Sequence, residues 1–179
     1  YDNNEFVSFA SLGEDVKERT ILVNGVSKSY AMTGWRIGYS ASNPQLAKVM
    51  ANYLSHSTSA PSTISQQAAI TALTGPQEDM QVMKQAFEQR RDHLVERMNQ
   101  IEGVSCIKPE GAFYLFVKTP TADENEFCAA AKKHNILVVP GSTFACPGFV
   151  RIAYCVSYET IQNAMPGFAA LAEEFGLKG

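Results

Sequence analysis

From Gly75-Pro76 onward the sequence alternates two rhythms, and that alternation restricts the chain to an architecture in which helices pack on a sheet. Met80, Met83, Phe87, Leu94, Met98 and Ile101 recur at helical spacing and predict one long amphipathic helix stopped by Gly103. After the turn at Pro109-Glu110-Gly111, the run Phe113-Tyr114-Leu115-Phe116-Val117 predicts a strand. Thr121 to Glu124 has the form of a capping box leading a helix to about His134. Ile136–Val139 and Phe149–Cys155 predict two more strands on either side of a loop bearing Pro and Gly. A last helix runs from about Ser157 to Phe175, and Pro166-Gly167 should kink or break it, because Pro lacks a backbone donor and clashes with the preceding turn.

The earlier part of the chain reads differently. Thr20-Ile21-Leu22-Val23 is short, apolar and β-rich, as expected of a strand buried on both faces. A second strand is predicted at Arg36–Ser40. Asn43-Pro44 opens a helix over Gln45–Leu54, with Leu46, Val49, Met50, Tyr53 and Leu54 on one side. Ser55 to Ser62 reads as loop. Thr63-Ile64-Ser65-Gln66 fits a second capping box, starting a helix that ends at Gly75-Pro76. Residues 6–42 resemble the closing part of a larger α/β unit. The abrupt start at Tyr1-Asp2 suggests a piece of something longer.

Composition excludes several classes of function. With Lys plus Arg at 15 and Asp plus Glu at 18, the net charge is −3, and no basic patch suggests nucleic-acid binding. No apolar run approaches the ~20 residues that span a bilayer. Cys106, Cys128, Cys146 and Cys155 lie far apart and read as reduced, mostly buried thiols of a cytoplasmic protein. His56, His93 and His134 share no metal-ligand spacing with one another or with the cysteines, so no metal site is expected. His93 and the run Gln89-Arg90-Arg91-Asp92 before it read as the solvated face of a helix. The P-loop, dinucleotide-binding and serine-hydrolase signatures are absent.

The most informative stretch is Gly25-Val26-Ser27-Lys28-Ser29-Tyr30-Ala31-Met32-Thr33-Gly34-Trp35-Arg36-Ile37-Gly38-Tyr39. It sets a Lys just beyond a strand, where α/β sheets commonly form ligand sites. Lysine is a poor nucleophile at neutral pH unless desolvation or a nearby cation lowers its pKa from about 10.4. Arg36 could be that cation while its fork of donors holds an anion, and a phosphate between the two would suit Schiff-base chemistry. Spacing alone leaves open the alternative of two solvated surface charges. The surrounding glycines and apolar residues weigh against it, since buried cations need partners.

This stretch resembles the pyridoxal-phosphate attachment motif of the class I aminotransferases, and Met32-Thr33-Gly34-Trp35-Arg36 is especially similar to the aspartate and aromatic branch. The resemblance covers essentially the whole chain. Tyr1-Asp2 looks like the end of the family's cofactor-contacting tyrosine segment, and Pro109 to Tyr114 like its small-domain strand entry. Pro140-Gly141-Ser142-Thr143-Phe144, followed by Phe149-Val150-Arg151-Ile152, looks like the segment with the substrate-carboxylate arginine. By motif position, Lys28 is then the Schiff-base lysine, Arg36 binds the cofactor phosphate, and Arg151 holds the α-carboxylate. On sequence alone Arg151 would be read as a surface strand arginine. Gly25 is a departure, because many relatives carry there a Ser that contacts the phosphate.

The resemblance implies a fold type I α/β protein, with residues 1–76 ending the large cofactor-binding domain and residues 77–179 forming the small C-terminal domain. It implies amino-group transfer between an amino acid and a 2-keto acid, in a homodimer whose sites lie at the subunit interface. The Asp that faces the pyridine nitrogen and the phosphate loop of the family are not in these residues, so the fragment alone is expected to be inactive or nearly so. Two alternatives share the same residues: a carbon–sulfur lyase of this fold, and the cofactor-binding sensor domain of a transcription regulator.

Overall fold

The computed structural model describes residues 1–177. The chain divides into two compact units, one formed by Asn4–Val82 and the other by Tyr1–Asn3 together with Met83–Gly179.

In the first unit, a short helix α1 (Glu14–Glu18) precedes strands β1 (Leu22–Gly25) and β2 (Gly38–Ala41). They pair antiparallel, from Leu22 opposite Ala41 to Gly25 opposite Gly38. The expectation of a strand buried on both faces fails, since Val23 is 78% exposed. A two-stranded ribbon offers no second layer to cover either face, and apolar content alone cannot create one. Helix α2 (Pro44–Ser57) begins as read: Asn43 caps it by accepting from the Leu46 N–H at 2.9 Å, and Pro44 takes the first turn, where its missing donor costs nothing. It runs into the stretch read as loop. None of its apolar side chains is fully buried. Helix α3 (Thr63–Thr74) ends at Gly75. Its predicted capping box does not form, because Gln66 reaches back to the Pro61 carbonyl instead. The buried residues of the unit are Val26, Ile37 and Ala69, with Tyr30, Met32 and Tyr39 packed around them.

Helix α4 (Glu78–Asn99) leads into the second unit. There β3 (Tyr114–Lys118), β4 (Val139–Pro140) and β5 (Phe149–Ala153) form an antiparallel sheet in the order β3-β5-β4. Helices α5 (Glu124–Lys133) and α6 (Tyr158–Glu174) complete the unit. The period of two along a strand sorts the sheet's side chains. Leu115, Val117, Val150 and Ile152 enter a core with Leu94, Met98, Phe127, Ala131, Phe168 and Leu171. Tyr114, Phe116 and Arg151 alternate with them and lie on the other side, half-buried. This is an α/β arrangement of the kind expected; of the strand read over Ile136–Val139 only Val139 is strand, continued by Pro140, and the one read over Phe149–Cys155 ends at Ala153.

Pro166 does not break α6, which continues to Glu174. The neighbouring Met165 and Phe168 are both buried, and packing of that kind offsets the ~3 kcal/mol that an interior Pro costs. Gly167 lets the helix approach the end of α5, where a Cβ would meet Ile136 Cδ1 at 3.0 Å.

Two charged residues overturn their sequence reading. Arg91, expected on a solvated face, is 0% exposed. It donates to both carboxylate oxygens of Asp2, at 2.8 and 3.0 Å, and to the Pro109 carbonyl at 2.9 Å. Its guanidinium also lies 4.5 Å from the centre of the Tyr1 ring. A buried cation persists only when its donors are so used, and the partners come from segments too distant in sequence for helix periodicity to reveal. Glu124, expected to close a capping box with Thr121, is also buried, and Asp123 caps α5 in place of Thr121 by accepting from the Asn125 N–H. His93, expected to be solvated, packs its ring 5.0 Å from that of Tyr158, with Nε2 buried and unpartnered. The cysteines are all free, as expected, but of the four only Cys128 is buried.

Candidate functional site

Lys28 and Arg36 both belong to the excursion that joins β1 to β2. Its base is closed by the Gly25–Gly38 pairing and by the Val26 N–H, which donates to the Ile37 carbonyl. Val26 and Ile37 are buried, and the Tyr30 hydroxyl donates to Gln77 Oε1 at 2.9 Å, so apolar contact and one side-chain bond anchor the segment. Between these anchors the backbone is strained: Ala31 and Arg36 both adopt positive φ, at 53° and 55°. Side chains other than Gly take that region reluctantly, and such positions concentrate at functional sites. At Gly25 an added Cβ would lie 3.1 Å from the Ile37 carbonyl oxygen, so the close approach of the two backbones favours the Gly found here.

The side chains of Lys28 and Arg36 are exposed. Arg36 donates one bond, to the Thr33 carbonyl at 3.0 Å. Among the described residues neither forms an ion pair. A primary amine and a guanidinium are therefore available on one short, anchored turn. Together they offer an attachment point for an aldehyde and a forked donor for a phosphate.

Arg151 lies in the second unit, at the centre of the sheet. Its register partners are Phe116 on β3 and Val139 on β4. The guanidinium carbon sits 4.2 Å from the centre of the Tyr114 ring and 4.0 Å from that of Phe144. Contacts at this range combine cation–π attraction with loss of rotamer freedom. The Nε atom is buried with no hydrogen-bond partner among the described residues. The side chain is thus held by two aromatic rings, with no acid of the described residues paired to it.

Phe144 reaches Arg151 from a turn over Gly141–Phe144, a segment that the sequence reading had linked to Arg151 by resemblance without giving Phe144 a role. Gly141 is required there, because a Cβ would come within 2.6 Å of the Phe149 carbonyl oxygen and closer still to that of Cys146. The Glu124 carboxylate accepts from the Ser142 N–H at 3.2 Å and the Gly148 N–H at 3.0 Å. Chiefly the Gly148 bond, with that of Ser142, holds Glu124 below the ordinary carboxylate pKa range and so keeps it ionised. Tyr114, Phe144 and Glu124 are the residues that motif reading missed. The period-two pattern of β3 carried a signal for Tyr114, whereas nothing local marked Glu124.

No helix among the described residues is long and apolar enough to cross a membrane, and no group of three or more His, Cys, Asp or Glu residues among them could hold a metal ion.

The sequence model of the aminotransferase class I and II family matches residues 1–167. The aspartate aminotransferase of Bacillus subtilis (strain 168) is 41% identical over 182 residues, an alignment covering 97% of this chain and 46% of that protein. The crystal structure of the aspartate aminotransferase from Rhizobium meliloti superposes with a TM-score of 0.89 at 41% identity, again over 97% of this chain and 46% of the other. An aromatic aminotransferase from Pyrococcus horikoshii gives a TM-score of 0.89 at 35% identity, over 97% and 48%. The chain spans about half the length of the relatives it matches.

Proposed function

The chain belongs to the aminotransferase class I and II family, and on that premise we propose that it is the C-terminal portion of a pyridoxal-phosphate-dependent aminotransferase of the aspartate type. Residues 1–76 then close the large cofactor-binding domain, and residues 77–179 make up the small domain. The substrates are an amino acid and a 2-keto acid, the full-length protein works as a homodimer, and free thiols throughout agree with a cytoplasmic setting.

The observation that carries this reading is the turn holding Lys28 and Arg36, where an amine and a guanidinium have no acid partner among the described residues. That donor set fits pyridoxal phosphate. When bound, the cofactor supplies an aldehyde carbon for the lysine and a ring that draws electrons from the bond being broken. Lys28 Nζ would hold that carbon and would be the base placed to take the proton from the substrate's α-carbon. Arg36 neutralises and orients the phosphate through its fork of donors. Arg151 binds the α-carboxylate, and its contacts with Tyr114 and Phe144 limit the orientations from which the α-carbon could be presented.

The test is an absorbance spectrum of the full-length protein with pyridoxal phosphate, beside a Lys28→Ala variant. A band near the visible edge that moves on adding aspartate, and is missing from the variant, is the expected result. Absence of the band from both proteins would overturn the proposal.

A further inference from the structure

Glu124 is a carboxylate at the start of α5, buried and ionised, with no cation among its partners. Such a group needs a reason, since an unpaired buried charge is costly unless donors surround it. Its donors are the backbone N–H groups of Ser142 and Gly148, which bracket the segment bearing Phe144. The Gly148 carbonyl is held as well: it accepts from the Thr119 N–H at 3.0 Å and from the Thr119 hydroxyl at 2.9 Å. Inside the bracket, Cys146 N–H donates to the Gly141 carbonyl and Ala145 N–H to that of Ser142, and Ala145 takes a positive φ of 56°. The loop is thereby tied at both ends, and the residue it presents is the ring 4.0 Å from the Arg151 guanidinium.

We propose that Glu124 is a positioning residue for substrate binding, fixing the 142–148 loop so that Phe144 holds the Arg151 guanidinium in the orientation that receives the substrate carboxylate. This rests on the reading of Arg151 as the carboxylate-binding arginine. Glutamine at position 124 keeps the shape but offers one acceptor oxygen where two are used, so one loop N–H loses its partner and the loop gains freedom. The consequence falls on carboxylate affinity and not on the proton-transfer step.

The experiment uses the full-length protein with its cofactor. It measures KM and kcat for the amino acid, and the Kd of succinate, a carboxylate ligand without an amine, by calorimetry. Glu124→Gln and Phe144→Leu are each expected to raise KM and the succinate Kd about ten-fold, with the effect on KM rather than kcat. Arg151→Lys raises both by more, and adding Glu124→Gln to it changes neither further, because the group being positioned is gone. If Arg151→Lys leaves the succinate Kd unchanged, the carboxylate role of Arg151 fails, and this proposal with it. If Arg151→Lys weakens succinate but Glu124→Gln does not, or if the two effects simply add, the positioning role alone is overturned. Should Glu124→Gln fail to fold, Phe144→Leu decides, since that side chain is exposed enough to be changed without disrupting the core; an unchanged Kd there overturns the proposal.

Discussion

The two units of this chain bury themselves to very different degrees. Met83–Gly179 wraps an antiparallel sheet with helices around a continuous core that includes Leu94, Leu115, Val150, Tyr154 and Leu171. Asn4–Val82 buries Val26, Ile37 and Ala69, while Val49 and Tyr53 stand 63% and 72% exposed. Both units have ordinary apolar sequences, so the difference lies in what is available to pack against. The exposed Lys28 and Arg36 sit on the sparsely packed unit, and the half-buried Arg151 on the well-packed one.

The comparison can be tested first where the expected effect is largest. Lys28→Ala in the full-length protein is expected to lower turnover by at least about ten-thousand-fold, with its melting temperature little changed. A comparable fall in thermal stability would mean that Lys28 belongs to the packing of its unit and not to the chemistry. Residues 1–179 alone are expected to turn over substrate no faster than that variant, and activity near the full-length level would sink the view that the chain is half of a site.

The next effect is on stability. Leu115→Ala removes a buried side chain from the sheet and is expected to cost about 2–5 kcal/mol. Val23→Ala on β1 should stay within about 0.5 kcal/mol in the isolated chain. Denaturant melts of the two variants would test this, and equal losses would erase the contrast between the units.

The smallest effect concerns acid. Bonds from Arg91, and then from Lys108, hold the Asp2 carboxyl down to about 2. A carboxylate depressed on folding contributes stability that is fully present above its ordinary pKa and is lost as pH falls towards the folded value. The difference in stability between the protein and Asp2→Asn should therefore be constant above about pH 5 and shrink between pH 4 and 2. A pH-independent difference would show that Asp2 acts through its shape alone.

What could be read from the sequence followed the reach of each signal. Periodicity is local, so it located α4, β3 and the period-two face that carries Arg151, and Asn43-Pro44 announced the start of α2 with the right cap. That Lys28 and Arg36 share one excursion between two strands was legible because both lie within one short segment. Burial was not, since it depends on neighbours: Thr20–Val23 has the composition of a covered strand and is largely uncovered, while Arg91 has the composition of a surface and is sealed. Glu124 failed for the same reason. Its spacing from Thr121 suggested a local cap, and its actual partners lie on the far side of β4.

The bond between Asp2 and Arg91 joins residues 89 positions apart, and all of Asn4–Val82 lies in the loop it closes. The entropy of closing a loop rises only with the logarithm of its length, by about 0.6 kcal/mol for each doubling. The intervening unit can therefore be lengthened, trimmed or exchanged among related proteins with almost no penalty to the clasp. Losing Asp2, by contrast, would leave a buried guanidinium with fewer acids to answer it. The clasp thus depends on a three-residue segment far in sequence from what it holds together.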